Sequence, residues 1–322
     1  VKAIVCHEFG PLETLSLEDL PDPTPGDGEV LIRTEAAGVN YPDGLLVQGL
    51  YQARPDRPFV PGNEVAGEVL SVGAGVTHLV PGDRVLAAVS GGGYAEMAVC
   101  AAERCFAMPR GMDASEACAL LVAYGTSHHA LKQRAQLVAG EWLVIFGAAG
   151  ATGIAAIQIG KTMGAKVIAV CSIDQKRALA LECGADHAIG YDTLKDDVRR
   201  LTDGHGADVV YDSVGGDAFA AASRFMARNG RLLVIGFASG EIPKLSVNLT
   251  LVKEYAVVGV FWGNWTRHDP EAYLDNMQEL FAWHQSGAVR PHIEGRYGLG
   301  DAADVLSRVL GRGATGKITL VP

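Results

Sequence analysis

The run Gly147-Ala148-Ala149-Gly150-Ala151-Thr152-Gly153 restricts the possible architectures more than any other stretch of this chain. Before it stands Trp142-Leu143-Val144-Ile145-Phe146, an uninterrupted apolar segment of the kind that forms a strand buried on both faces. After it come Ala155, Ala156 and Gly160, whose small size lets a helix lie close on a sheet. The spacing departs from GxGxxG because Ala148-Ala149 precedes Gly150, so the loop alone is weak and its context carries the reading. Gly150 lets backbone approach a pyrophosphate, the helix start at Ala151-Thr152 offers orphan N–H groups, and Gly153 allows helix against strand. This combination predicts a dinucleotide site in a doubly wound α/β domain.

Strand and helix patterns keep alternating downstream of the loop. Strands are predicted at 142–146, 167–171, 187–190, 208–212, 231–236 and 256–261, as six parallel strands. A helical stretch from about Ala123 through His129 and Gln136 precedes them. Upstream, from Val1 to about Ala119, short alternating segments such as Glu29–Arg33, Gly67–Gly73 and Gly82–Ala87 read as a mostly antiparallel β domain. Past Trp265 the pattern predicts a helix over Pro270–Gln285, a short one over Ala302–Leu310, and a closing strand, Gly316–Val321, that returns to the first domain. The expected division is 1–122, 123–265 and 266–322, reasonable for 322 residues, which are many for one core.

Composition narrows the function classes. A formal charge of -10 provides no basic stripe for a nucleic-acid backbone. No apolar run approaches the roughly 20 residues that span a bilayer, and Lys2 stands too early for a secretory apolar region, so a cytoplasmic location and no membrane partner are expected. The six cysteines form no CxxC pair and read as free thiols among small or apolar neighbours. Adjacent His128-His129 point in different directions on a helix and predict no metal site.

The end of the second predicted strand discriminates between nicotinamide cofactors, because an acid there accepts ribose hydroxyls and repels a 2′-phosphate. Here Cys171 and Ser172 take that place, followed by Asp174, Lys176 and Arg177. Ser172 caps the next helix, meets the phosphate, or does both; Lys176 is either a phosphate partner or a solvated helix lysine. Asp174 dissents, since it could bind the ribose. Tyr191, ending the third strand, can reach the adenosine end or simply pack there. The balance predicts NADPH.

These features, with Ala37-Gly38-Val39-Asn40-Tyr41-Pro42-Asp43, Pro61-Gly62-Asn63-Glu64-Val65-Ala66-Gly67, Gly82-Asp83-Arg84-Val85 and Asp212-Ser213-Val214-Gly215-Gly216, make the whole chain resemble the zinc-independent quinone oxidoreductases of the medium-chain dehydrogenase/reductase superfamily. Asn248–Lys253 with Gly259-Val260-Phe261-Trp262-Gly263 is similar to the quinone oxidoreductase-like protein 2 branch. The resemblance implies a GroES-like β-rich catalytic domain plus a Rossmann domain, with the cofactor between them. Zinc-bearing relatives use cysteine where this chain has Asn40 and histidine where it has Asn63, so no metal is implied.

The same resemblance puts Asn40 at the nicotinamide, Tyr51 at the substrate, and Thr126, Val214 and Gly215 near the cofactor. Phe237, Ala238 and Ser239, and Phe261, Trp262 and Gly263, cap the nicotinamide as strand-end segments. For Asn40 a turn role, for Tyr51 packing, for Phe237 the core and for Trp262 an interface are the alternatives. Asp43 and Glu64 are carboxylates for which structural hydrogen bonding competes with acid chemistry. The implied reaction is hydride transfer to a small planar quinone or enone; a 2-alkenal, enone or enoyl-thioester reductase and a nonenzymatic NADPH-binding protein are the alternatives. A homodimer is implied, with a homotetramer as the alternative and the apolar stretch Tyr255–Phe261 as the covered edge strand.

Overall fold

The computed structural model describes residues 1–322, which divide into two compact units: Val1–Val122 with His292–Pro322, and Ala123–Pro291.

The first unit is built around β3 (Glu29–Val39), whose alternation buries Val30 and Ile32 and turns Arg33 outward. Its other strands are β1 (Lys2–Val5), β2 (Ser16–Asp19), β4 (Val65–Val72), β5 (Arg84–Ala87), β6 (Met97–Ala101), β7 (Cys105–Ala107), β14 (Ile293–Gly298) and β15 (Lys317–Val321). The large sheet runs β14-β15-β3-β4-β5-β7, with β6 also on β3. The first half of β3 pairs β6 and the second half pairs β15, both antiparallel. The closing strand thus joins the first unit, as its sequence pattern suggested. Helices α1 (Tyr41–Val47), α2 (Ala114–Ala119) and α11 (Ala302–Leu310) complete this unit. Its core includes Val30, Ile32, Val65, Val85, Leu306, Ile318 and Leu320.

The second unit holds six strands: β8 (Trp142–Phe146), β9 (Lys166–Val170), β10 (His187–Ile189), β11 (Ala207–Asp212), β12 (Met226–Val234) and β13 (Ala256–Gly259). All pair in parallel, in the order β10-β9-β8-β11-β12-β13. From β8 the chain winds outward first one way and then the other, so the order reverses between β8 and β11, where open α/β sheets take their ligands. The helices of this unit are α3 (Gly125–His129), α4 (Ala151–Thr162), α5 (Asp174–Glu182), α6 (Leu194–Leu201), α7 (Gly216–Ala222), α8 (Asn248–Lys253), α9 (Trp262–His268) and α10 (Pro270–Ser286).

Three expectations are corrected. Residues 266–291 belong to the second unit, because α10 lies on α3 through His128–Glu279 (2.7 Å) and on the turn that follows α3 through Gln133–Asn276 (2.9 Å). The helical run that divides the chain starts at Ala114, where Asp113 accepts the N–H groups of Ser115 and Glu116, and it passes through wider turns at Leu120–Tyr124 and Ala130–Arg134. Finally, β13 stops at Gly259, and Phe261 is the N-cap of α9 rather than the end of a strand.

Candidate functional site

In the second unit the glycine run forms the turn from β8 into α4, at the point of reversal. Gly147 takes φ 65°, and a side chain there would lie 2.9 Å from the Ser213 hydroxyl. A side chain on Gly153 would come within 2.7 Å of Ala148 Cα, so this glycine is what lets α4 reach the strand end. Gly150 is the N-cap of α4 and no side chain caps the helix; a Cβ there would meet only the Gly147 carbonyl, at 3.5 Å. The N–H groups of Ala151, Thr152 and Gly153 belong to the first turn, which has no intrahelical acceptors. An uncapped helix start with a glycine N-cap and no side chain within 4 Å of where its Cβ would stand fits a diphosphate. Tyr191 supports the turn: its hydroxyl accepts the Gly147 N–H at 2.9 Å. It therefore acts on the loop backbone instead of standing free beside the adenosine position.

Neighbouring strand ends are laced to this turn. Ser213 donates to the Phe146 carbonyl (3.0 Å), and the Asp212 carboxylate accepts the N–H groups of Val214 (2.8 Å) and Gly215 (2.9 Å). Burial pushes the Asp212 carboxyl up, against those two bonds. The N–H groups of Ala238 and Ser239 then bond the carbonyls of Ser213 and Val214, and a side chain on Gly215 would strike the Phe237 ring. Val214, Gly215, Phe237, Ala238 and Ser239 thus form one assembly beyond β11 and β12. Thr126 is half-buried on α3, beside Ser127, whose hydroxyl donates to the Thr152 carbonyl at 2.8 Å. Trp262 lies over Gly125 and edge-on to Tyr273, at 5.7 Å between ring centroids, while Phe261 and Gly263 are exposed.

At the end of β9 one expectation changes. Ser172 does not cap α5: the N-cap is Ile173, and the exposed Ser172 precedes it. Asp174, the possible ribose acceptor, is an ion-pair partner of Arg177, which also donates to the Cys171 carbonyl at 3.2 Å. Lys176 and Arg177 both act electrostatically on the Cys171 thiol, so positive charge gathers at this strand end.

The first unit contains a different kind of site. Asp43 and Glu64 are fully buried, and Lys317 is 2% exposed. Lys317 forms an ion pair with Glu64 and donates to Asn40 Oδ1 at 2.8 Å; Asn40 Nδ2 donates to Glu64 Oε1 at 3.0 Å, and the Val122 N–H donates to Oε2 at 3.0 Å. An ammonium only donates and a carboxylate only accepts, so these partners fix which way the Asn40 amide faces. One amide N–H is left uncommitted by these bonds. Asp43 accepts from the Asn40 N–H, the Tyr94 hydroxyl and Asn63 Nδ2, each at 2.9 Å. Burial lifts its carboxyl to about 6, although the Asn40 N–H, the Tyr94 hydroxyl and Lys317 pull the other way. Tyr51 is half-buried beyond α1, and burial together with the Asp43 charge pushes its phenol up, so it holds its proton at neutral pH.

The His128-His129 pair separates, as helix geometry requires. His128 is buried against Glu279, and His129 stacks on Trp265 at 4.1 Å. Burial lowers both imidazoles to about 4.

Comparison with known proteins agrees with this architecture. The alcohol dehydrogenase GroES-like domain family matches residues 26–110, and the zinc-binding dehydrogenase family matches residues 151–279. A quinone oxidoreductase-like protein 2 homolog of Nematostella vectensis is 37% identical across 99% of this chain and 88% of that protein. The chain belongs to the zinc-independent quinone oxidoreductase-like family. Among solved structures, a probable oxidoreductase of Mycobacterium abscessus shares 36% identity at a TM-score of 0.91, covering 100% of this chain and 98% of that one. The Escherichia coli quinone oxidoreductase, solved with NADPH, shares 27% identity at a TM-score of 0.92, with both chains fully covered.

In this family member the residue that sequence reasoning missed is Lys317. Its only signal is a lysine at an inward position of the apolar strand Lys317-Ile318-Thr319-Leu320-Val321. The Tyr94 link to Asp43 had no signal at all. Asn40 and Asn63 both donate to buried carboxylates, Glu64 and Asp43.

Proposed function

We propose that this chain is an NADPH-dependent reductase that passes hydride to a quinone or a similar conjugated carbonyl, with no metal in the step. The observation that carries the reading is the uncapped, side-chain-free start of α4 at the reversal of the sheet, with Lys176 and Arg177 at the neighbouring strand end. The NADPH in the Escherichia coli relative supports it. The N–H groups of Ala151, Thr152 and Gly153 hold the diphosphate, and Gly150 leaves room for it. Ser172 and Lys176 take the 2′-phosphate, Asp174 being engaged by Arg177. Thr126, Val214, Gly215, Phe237, Ala238, Ser239, Phe261, Trp262 and Gly263 line the remaining length of the cofactor, and Tyr191 keeps the turn in shape. When bound, reduced nicotinamide supplies the hydride.

Asn40 directs its uncommitted N–H to the acceptor oxygen as negative charge gathers there, and Tyr51 presents a protonated phenol to the same planar acceptor. A quinone spreads that charge over its oxygens, so a hydrogen bond suffices where a saturated ketone would need a stronger acid. β13 is the outer strand of its sheet, and exposed Leu251, Val252 and Phe261 lie on the segments flanking it, which supports a homodimer. No helix is long and apolar enough to cross a membrane.

The deciding experiment follows NADPH oxidation by absorbance against quinones, 2-alkenals and acyl thioesters in parallel. Turnover with quinones above the other two classes is the expected result. Turnover confined to alkenals or thioesters moves the activity to a conjugated-alkene reductase, and NADPH binding without turnover removes the enzymatic reading.

A further inference from the structure

Six cysteines in this chain carry free thiols, and four of them are chemically quiet. Cys6 and Cys118 donate to the carbonyls of Glu8 (3.2 Å) and Ala36 (3.3 Å). Burial pushes the thiols of Cys6, Cys118, Cys171 and Cys183 up, which keeps them protonated and poorly nucleophilic.

Cys100 and Cys105 are arranged differently. Cys100 lies on β6 opposite Val30 of β3, and Cys105 opens β7 opposite Ala87 of β5, so a single helical turn, Ala102–Arg104, carries the chain between two strands of the sheet. Each sulfur reaches toward the backbone beside the other cysteine. Cys100 Sγ is 3.5 Å from the carbonyl of Ala88, the neighbour of Cys105's own register partner. Cys105 Sγ is 3.6 Å from the carbonyl of Ala101, the neighbour of Cys100. The two thiols act on each other electrostatically, and Cys105 is partly exposed while Cys100 is buried. The neighbouring Cys105 thiol, helped by the Arg104 charge, pulls the Cys100 thiol below its usual range despite burial and the charge of Glu29. Cys100 and burial push the Cys105 thiol up.

We propose that Cys100 and Cys105 are a hydroperoxide-oxidisable dithiol, a modification site that closes to a disulfide across the β6–β7 turn. In the first step the Cys100 thiolate attacks one peroxide oxygen; the O–O bond breaks, hydroxide leaves, and Cys100 becomes a sulfenic acid. In the second, Cys105 sulfur attacks Cys100 sulfur; the S–O bond breaks, water leaves with the Cys105 proton, and the S–S bond forms at about 2.05 Å. The dithiol gives up two electrons and two protons in total, and hydrogen peroxide is reduced to water. The reach of each sulfur to the backbone beside the other cysteine is what makes the second step faster than further oxidation of Cys100.

Trypsin cuts after Arg104, between the two cysteines, and this makes the test direct. The folded protein is treated with hydrogen peroxide, alkylated with iodoacetamide without reductant, and mapped by mass spectrometry. The expected product has lost the mass of two hydrogens, retains four alkylated cysteines, joins the Cys100 and Cys105 peptides, and reverts with dithiothreitol. In Cys105→Ser the link is lost and a sulfenic acid on Cys100 is trapped by dimedone; in Cys100→Ser position 105 remains a thiol. Equal alkylation of all six cysteines after peroxide, oxidation of any other cysteine first, or oxygen added to Cys100 with no joined peptide overturns the proposal. The wild-type map decides the matter even where a serine variant fails to fold.

Discussion

The turn after β8 and the buried cluster around Glu64 are both polar sites, yet they are made in opposite ways. The turn is made by leaving side chains out: Gly147, Gly150 and Gly153 expose backbone N–H groups, and all lie within seven consecutive residues. The cluster is made by bringing side chains together, with Lys317 meeting Asn40 and Glu64 across separations of 277 and 253 residues. A side chain on Gly38 would run into the Glu64 carboxylate, so even there an absent side chain makes room for a charge. A site made of backbone tolerates water and ligand in front of it. A site made of buried charges holds only while every partner is present.

The largest effect is expected where the second kind of site loses one member. Lys317→Met leaves Glu64 buried without its counter-charge and should cost roughly 3–5 kcal/mol in urea unfolding. Lys317→Met with Glu64→Gln should recover a good part of that loss. A single variant within about 1 kcal/mol of the parent would break the comparison.

Protonation sharpens the same contrast. His128 falls to about 4 in the fold against 6.5 when unfolded, so the folded state binds fewer protons between those values. Stability contributed by the neutral imidazole is present above pH 6.5 and is lost as pH falls toward 4. Asp43 has the reverse sign: its carboxyl rises from 3.8 to about 6, so its contribution is present below 3.8 and declines as pH rises through 6. His128→Phe should remove up to roughly 3 kcal/mol of the acid-side loss. An unchanged slope of unfolding free energy against pH counts against this assignment.

Within the turn, two glycines should answer differently to one methyl group. Gly153→Ala forces α4 away from Ala148 and should cost about 1–3 kcal/mol along with NADPH affinity. Gly150→Ala has space for its methyl group and should keep its melting temperature while binding NADPH less well. Matching melting temperatures for the two variants would contradict the packing role given to Gly153.

Least in energy is cofactor choice. Lys176→Ala should weaken NADPH by about tenfold, near 1.4 kcal/mol, and leave NADH unchanged in titration. Parallel weakening of both cofactors would assign Lys176 to the turn rather than to the 2′-phosphate.

What the sequence made legible follows from this contrast. Strand and helix alternation over 142–261 and the return of Lys317–Val321 to the first unit were readable because periodicity and glycine spacing are local. The Lys317–Glu64–Asn40 contact was not, since nothing near Glu64 in the chain marks its partner. Ser172 was misplaced by one residue because a serine ahead of a helix looks like a cap, and only backbone angles assign that place to Ile173. The end of β13 was overrun because Val260-Phe261-Trp262 continues the apolar pattern of the strand while the chain already turns into α9.

The pairing of β15 with β3 has a bearing on how the molecule is made. Residues 123–291 form a unit of their own, interposed between two pieces of the other. On a ribosome the second unit is therefore fully synthesised while its N-terminal neighbour still lacks two strands, a helix and a cation. Until Lys317 emerges, Glu64 has no ammonium to face, and water must keep the nascent carboxylate company. The half of the protein that is translated first is thus the half that cannot be completed until the last residues are made.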